Sequence, residues 1–329
     1  MNGLSTVSLL GELAAALEMP EGDIDSIVQS APRRYKLFTI KKRNGTDRRV
    51  IAQPARALKA MQRYVIAAKL NALPIHPIAS AYRAGRSIAD NASAHAGKRV
   101  ILKLDFRDFF NSITPGALAA VLNDADLDTV TSADRIMLIA ILFWFNPLDN
   151  RLCLAIGAPS SPFISNAVME PLDRQFDAIA RAHSARCTRY ADDITLSANS
   201  IENLLQAEQE LRQAVARAPQ PRLRFNDAKR GIFTSAGRRL VTGLVLTPDG
   251  KVSLGRERKR TISAALHHIT VGRNATHAHR EETRGWLAYA NSVEPAFVMT
   301  MAVKYPRAFR AVMGMGFATR EVLAEAPLE

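Results

Sequence analysis

Two aspartates stand side by side in the stretch RYADDITLSA, at Asp192 and Asp193, between runs of residues that favour strands. Two unit charges a few ångströms apart cost about 4 kcal/mol at an effective dielectric near 20. The pair therefore needs a turn whose backbone it can bond, or a cation near its carboxylates. A third carboxylate bears on the choice: residues 100–104 are strand-like and end on Asp105, and a carboxylate at a strand end beside a turn is well placed for chemistry. If the two strands are neighbours in one sheet, three carboxylates converge on one small volume. Hard divalent ions suit such oxygen ligands, Mg²⁺ above all, because it keeps waters and accepts phosphate oxygens alongside one or two carboxylates. Two such ions about 4 Å apart activate an attacking hydroxyl and stabilise the leaving group of an in-line phosphoryl displacement.

Elements able to hold such a cluster flank it on both sides. Residues 1–32 look helical, with Pro32 closing the segment. The runs YKLFTI and RRVIAQP, separated by KKRNGTD with Asn44-Gly45 at its centre, predict a basic β-hairpin carrying Lys41, Lys42, Arg43, Arg48 and Arg49. Helical spacing over 55–73 stops at Pro74. After Asp105 the pattern predicts helices to about residue 150, including a buried helix from Ile136 (IMLIAILFWF), then a loop AIGAPSSP and a helix from Phe163 that Pro171 should kink. The DD hairpin follows, then an amphipathic helix capped by Ser200, short strands, and a basic helical stretch, GRERKRTISAALHH, from residue 255. This order predicts an α+β fold with an antiparallel sheet packed on helices.

Lys and Arg outnumber Asp and Glu by 44 to 31, a formal charge of +13 and a pI near 10.1, which points to a polyanionic partner such as nucleic acid. The 329 residues, 47% hydrophobic, suffice for two or three subdomains. Cys153 and Cys187 lie far apart and outside any Cys-x-x-Cys spacing, which argues against a disulfide framework or structural zinc and fits a cytoplasmic protein. The longest apolar run has ten residues where a membrane span needs about twenty. No basic n-region opens the chain, so its first residues read as an amphipathic helix rather than a signal peptide, and no membrane partner is expected.

The strings LDFRDFF, GAPSSP, RYADDITLSA and FNDAK stand in the order and spacing of reverse transcriptase palm motifs. NASAHAGK, with Asn91 and His95, and VTGLV, with Val241, Thr242 and Gly243, resemble the two signatures that set retron reverse transcriptases apart from group II intron enzymes. The resemblance covers roughly residues 33–310. It implies a right-hand polymerase with fingers (33–99), a palm with inserted fingers helices (100–245) and a helical thumb (246–329) behind an N-terminal helical segment (1–32). Asp105, Asp192 and Asp193 would hold two Mg²⁺ ions, which Mn²⁺ can replace. Lys229 would protonate the leaving pyrophosphate. Lys42 and one of Arg48 and Arg49 would grip the incoming triphosphate, with Phe106, Asp108, Phe109 and Gly157 around the nucleotide. Phe110 would block a ribose 2′-hydroxyl and so select deoxynucleotides. Many relatives carry Gln where this chain has Ile156, which offers no side-chain hydrogen bond.

The same resemblance implies a cognate structured noncoding RNA, primed from a guanosine 2′-hydroxyl to give branched RNA-DNA. It also implies deoxynucleotide substrates, a role in antiphage defence and a toxin-like effector partner. RNA duplexes are read by shape and phosphate contacts, for which Arg256, Arg258, Lys259 and Arg260 supply charge, with Asn91, His95 and residues 241–243 as further RNA-binding candidates. A group II intron type enzyme would need added regions for which little length remains after residue 310. A catalytically silent RNA-binding scaffold would not need all three aspartates.

Overall fold

The basic run after Pro32 folds as the antiparallel hairpin its pattern predicts. Strand β1 (Tyr35–Lys41) pairs with β2 (Arg48–Pro54), from Tyr35 opposite Pro54 to Lys41 opposite Arg48. The computed structural model describes residues 8–41, 48–124, 130–272 and 276–314, and the expected hairpin tip with Lys42 lies outside them. The chain divides into two units, one of Met1–Ala84 with Leu102–Gly231 and one of Gly85–Ile101 with Ile232–Glu329. Residues 85–99, placed with the fingers on sequence grounds, thus cluster with the C-terminal part.

In the first unit, helices Leu9–Leu17 and Glu21–Ser30 precede the hairpin, and Arg56–Val65 follows it. Strand β3 (Val100–Asp105), which enters this unit at Leu102, is buried along its length except at Lys103, as expected of a Val/Ile/Leu run with neighbours on both faces. Helices Phe109–Ser112, Pro115–Asp124 and Ser132–Leu142 come next. The apolar run from Ile136 departs from expectation. Its helix ends at Leu142, the aromatic residues after it enter β4 (Trp144–Asn146), paired with β5 (Arg151–Cys153), and Ile136 itself is exposed. Periodicity cannot separate a short buried helix from a strand, and aromatic enrichment at the C-terminal end favoured the strand.

Helix Ser161–Ala182 runs through Pro171 as one element. It packs beneath β6 (Arg186–Tyr190), which pairs with β7 (Asp193–Ala198), and β6, β7 and β3 lie side by side in that order. Helix Ile201–Arg217 then covers the same region, its first turn capped by the Ser200 hydroxyl accepting from the Asn203 amide.

In the second unit, β8 (Gly231–Thr234) is followed by β9 (Leu240–Val241), β10 (Leu244–Leu246) and β11 (Val252–Ser253), the last three forming a small antiparallel sheet with β10 central. Four helices follow, Arg256–Thr270, His277–Val293, Pro295–Lys304 and Pro306–Met313, around a core that includes Val241, Leu244, Leu266, Leu287 and Val312. Helices with antiparallel sheets make the chain α+β. No helix among the described residues is long and apolar enough to cross a membrane.

Candidate active site

Asp105 ends β3 with only 4% of its surface exposed. Two backbone bonds fix its neighbours: the Phe106 amide donates to the Asp192 carbonyl at 3.1 Å, and the Asn226 amide donates to the Asp105 carbonyl at 2.7 Å. The hairpin of β6 and β7 closes with Tyr190 opposite Asp193, so Ala191 and Asp192 form a two-residue turn. Ala191 sits at φ 57, a left-handed conformation that costs a residue with a Cβ about 1 kcal/mol. The turn and the carboxylate cluster expected as alternatives therefore coexist: the tight turn presents the two acids to Asp105.

The three carboxylates interact. Desolvation pushes Asp193 up to about 6, aided by the charges of Asp192 and Asp105 and by a side-chain hydrogen bond with Asp105. Asp192 is also raised, first by burial and then by the Asp105 charge. The Lys229 ammonium donates to Asp105 Oδ2 at 2.7 Å, and the Asn226 side-chain amide donates to Oδ1 at 3.3 Å. Burial works against the charge of Lys229, but this bond and the three aspartate charges hold its pKa above the usual value. Among the described residues no three His, Cys, Asp or Glu side chains are arranged as a ready-made metal cage. The donor chemistry nevertheless fits hard divalent ions: all oxygen, with two carboxyls whose proton affinity is raised first by burial and then by the neighbouring carboxylate charge, both of which cations offset. The ammonium of Lys229 supplies the one positive charge bonded to Asp105 among the described residues.

Beside the acids is a pocket of about 330 Å³ lined by Lys59, Arg63, Tyr82, Phe110, Ile156 and Gly157, among others. Phe110 faces Tyr82 with ring centroids 6.4 Å apart. Phe106 and Phe109 are turned away, buried and stacked with centroids at 6.0 Å, and Phe106 stacks on Phe225 at 4.9 Å. These two rings thus belong to the core rather than to the pocket wall. Gly157 has φ +116, and a Cβ there would meet Ile51 Cγ2 at 2.8 Å, because the Ala52 amide of β2 bonds the Ile156 carbonyl at 2.8 Å. Successive residues of β2 face opposite ways, so Arg48 and Arg49 diverge. The charge of Arg49 acts on Asp192 and on Tyr82. Asp108, at φ 47, turns the chain away after the motif and is exposed.

The other candidates lie in the second unit. Asn91 and His95 are buried at 2% and 0% exposure, inside the fold rather than on its surface. Val241 is fully buried, while Thr242 (φ 46) and Gly243 (φ 79) make the tight turn between β9 and β10, pinned by the Thr242 hydroxyl donating to the Ile88 carbonyl. Arg258 is occupied within the unit, donating to the Gly243 carbonyl at 2.6 Å and stacking over Tyr289, and Lys259 pairs with Glu294. Arg256 and Arg260 are exposed.

The sequence matches the reverse transcriptase (RNA-dependent DNA polymerase) family over residues 40–271, a span that contains all three aspartates. It is 35% identical to the Retron Ec83 reverse transcriptase of Escherichia coli over 89% of this chain and 94% of that protein. The Retron Ec86 reverse transcriptase of the same organism is 32% identical, over 89% and 87%. The chain belongs to the retron reverse transcriptases. The Retron Mx65 enzyme of Myxococcus xanthus is 34% identical over 86% of this chain and 68% of its own. Among solved structures, telomerase from Candida albicans in complex with a TWJ fragment of telomeric RNA aligns over 86% of this chain and 66% of that one, at TM-score 0.47 and 11% identity. As a retron reverse transcriptase the chain is an RNA-directed DNA polymerase, of a family that copies RNA templates with deoxynucleotides and generally uses divalent metal ions.

Sequence reasoning missed one group of residues in this reverse transcriptase. Arg189, one position before Tyr190, and Asp173, in the helix below, form an ion pair with both side chains fully buried, at 2.7 Å from Nε to Oδ1 and 2.6 Å from Nη2 to Oδ2. The remaining Nη1 donates to the Ala191 carbonyl at 3.0 Å. The signal was present: an arginine next to apolar Cys187 on an inward strand face, and an aspartate within a helix stripe of Ile164, Val168, Leu172 and Phe176.

Proposed function

We propose that this reverse transcriptase copies a structured noncoding RNA into a short single-stranded DNA, starting from a guanosine 2′-hydroxyl and leaving branched RNA-DNA. The observation that carries the catalytic part is the convergence of Asp105 with the Asp192-Asp193 turn. Two Mg²⁺ ions, or Mn²⁺ in their place, held by these carboxylates would supply activation of the attacking hydroxyl and charge stabilisation at the leaving pyrophosphate. Lys229 brings a proton: its ammonium form is stabilised by Asp105 and stands within reach of the same volume. Arg49 is better placed than Arg48 for the triphosphate, because its field reaches Asp192. The Gly157 loop, tied to β2, gives the base pair a rigid platform. Among the basic thumb residues, the exposed Arg256 and Arg260 are free to meet RNA, and Arg258 acts through the Gly243 turn. Branched priming and antiphage action with a toxin-like effector rest on the likeness to retron enzymes alone, and a cytoplasmic setting on the two isolated cysteines.

Nucleic acid extracted from the purified native complex tests the reading. A short DNA that remains joined to RNA until a debranching enzyme releases it is the expected finding; a linear DNA with a free 5′ end would remove the branched-priming claim. Replacing Phe110 by Ala opens the wall that faces Tyr82, and ribonucleotide incorporation should rise about tenfold or more relative to wild type. Unchanged sugar discrimination would return Phe110 to a packing role. RNA binding that rests on phosphate contacts should weaken about a thousandfold between about 50 and about 200 mM salt, so a shallow filter-binding titration would count against it.

A further inference from the structure

A second cavity, of about 730 Å³, opens in the first unit and includes none of the three aspartates, Lys229 or Arg49. Four arginines line it, Arg107, Arg151, Arg222 and Arg224, against two acids, Asp108 and Asp149. Asp149 lies 3.8 Å from Arg151 and accepts from the Asn146 amide. Arg107, Arg222 and Arg224 are exposed and, among the described residues, have no acidic partner within ion-pair distance. Uncompensated arginines held around one hollow repel each other unless an anion sits among them.

Strand geometry ties this hollow to the catalytic centre. Phe106 bridges Phe225 in antiparallel fashion, with the Arg107 amide donating to the Arg224 carbonyl at 2.8 Å. Side chains alternate along such segments. Phe106 and Phe225 stack inward, so Asp105 and Arg107 share the opposite face on one segment, as Arg224 and Asn226 do on the other. Asn226 reaches Asp105 from that face. Exposure alternates in the same sense through buried Pro221 and Leu223, which puts Arg222 on the side of Arg224. Arg107 and Arg224 therefore begin one step, about 7 Å along the backbone, from Asp105 and Asn226, and Arg222 follows one step further on.

We propose that this cavity is a polyphosphate-binding site, which takes inorganic pyrophosphate or the phosphate tail of a nucleotide beside the catalytic carboxylates. The inference rests on the polymerase reading, which makes pyrophosphate a product of every addition. Guanidinium forks match phosphate oxygens bidentately, and the hollow is large enough for two or three phosphates but lacks the aromatic platform that unpaired bases stack on.

Titration of full-length, metal-free protein with inorganic pyrophosphate in low salt tests the site without needing catalysis. The paired change Arg222→Gln and Arg224→Gln should raise the pyrophosphate dissociation constant about tenfold or more, Arg151→Gln on the separate β4–β5 hairpin should raise it in the same direction, and the paired Arg→Lys variant, which keeps the charge but loses the fork, should fall between wild type and the paired Gln variant. In primer extension, the pyrophosphate concentration that halves synthesis should rise by the same factor while affinity for template RNA changes less than about twofold. An equal rise in the apparent KM for dATP identifies the nucleotide tail as an occupant too; an unchanged KM assigns the site to the leaving group. Pyrophosphate affinity untouched by all the Gln variants overturns the proposal, and a loss of RNA affinity instead makes the hollow a nucleic-acid contact. Wild-type protein that fails to extend any primer would sink the polymerase reading itself, whatever the titration shows.

Discussion

Asp193→Asn is expected to lower DNA synthesis about a thousandfold or more, some 4 kcal/mol of transition-state stabilisation, while making the metal-free protein more stable at neutral pH. The first effect follows from removing a charge at the point where three carboxylates meet. The second follows from linkage. The carboxyl of Asp193 is raised to about 6, so the folded state holds its proton more tightly than the unfolded chain does. The folded state therefore loses stability as pH rises from about 4 to about 6, and the full cost stands above that window. A shift of two units corresponds to about 3 kcal/mol, but Asp193 is exposed and solvent screening reduces the figure to about 1 kcal/mol. Denaturant melts in EDTA should show the variant ahead at pH 7.5 and level with wild type near pH 4. A variant that loses stability at pH 7.5, or that keeps normal synthesis, would contradict the assignment of this cluster as a repulsive site built for cations.

That an active site should cost stability bears on what the sequence could reveal. Asp105, Asp192 and Asp193 were legible because adjacent or strand-terminal carboxylates make no sense as packing, and the hairpin between them needs only two turn residues. Less legible were features that depend on which residues meet across the fold. Asn226 reads as a turn residue in FNDAK, yet it bonds Asp105 from 121 positions away. Phe109 and Phe110 are neighbours of like type, and only the backbone turn at Asp108 sends one into the core and the other toward Tyr82. The run from Ile136 failed for local reasons: Ile136 itself faces solvent, and the last aromatic residues joined a strand pair whose partner lies past a turn.

The Arg189–Asp173 pair is the other place where a single change should have a large effect, and its two roles can be separated. Asp173→Asn leaves a guanidinium buried without its counter-charge, which typically costs about 3–5 kcal/mol. A fall of roughly 10 °C in melting temperature is the expected outcome at this chain size. Lost activity in that variant alone would be uninformative, because an unstable enzyme is also a poor one. The double change Asp173→Leu with Arg189→Met replaces the pair by apolar groups of similar length, an exchange that often restores or exceeds the original stability. It cannot restore the third bond, from Arg189 Nη1 to the carbonyl of Ala191, the residue whose left-handed backbone sets the angle of the turn. If Arg189 positions the catalytic hairpin, the double variant should melt within a few degrees of wild type yet synthesise DNA at least about tenfold more slowly, with kcat reduced and template affinity kept. Recovery of synthesis along with stability would reduce the pair to a packing device. The geometry favours the positioning role, because the guanidinium spends two of its three nitrogens on Asp173 and the last on the turn that carries Asp192.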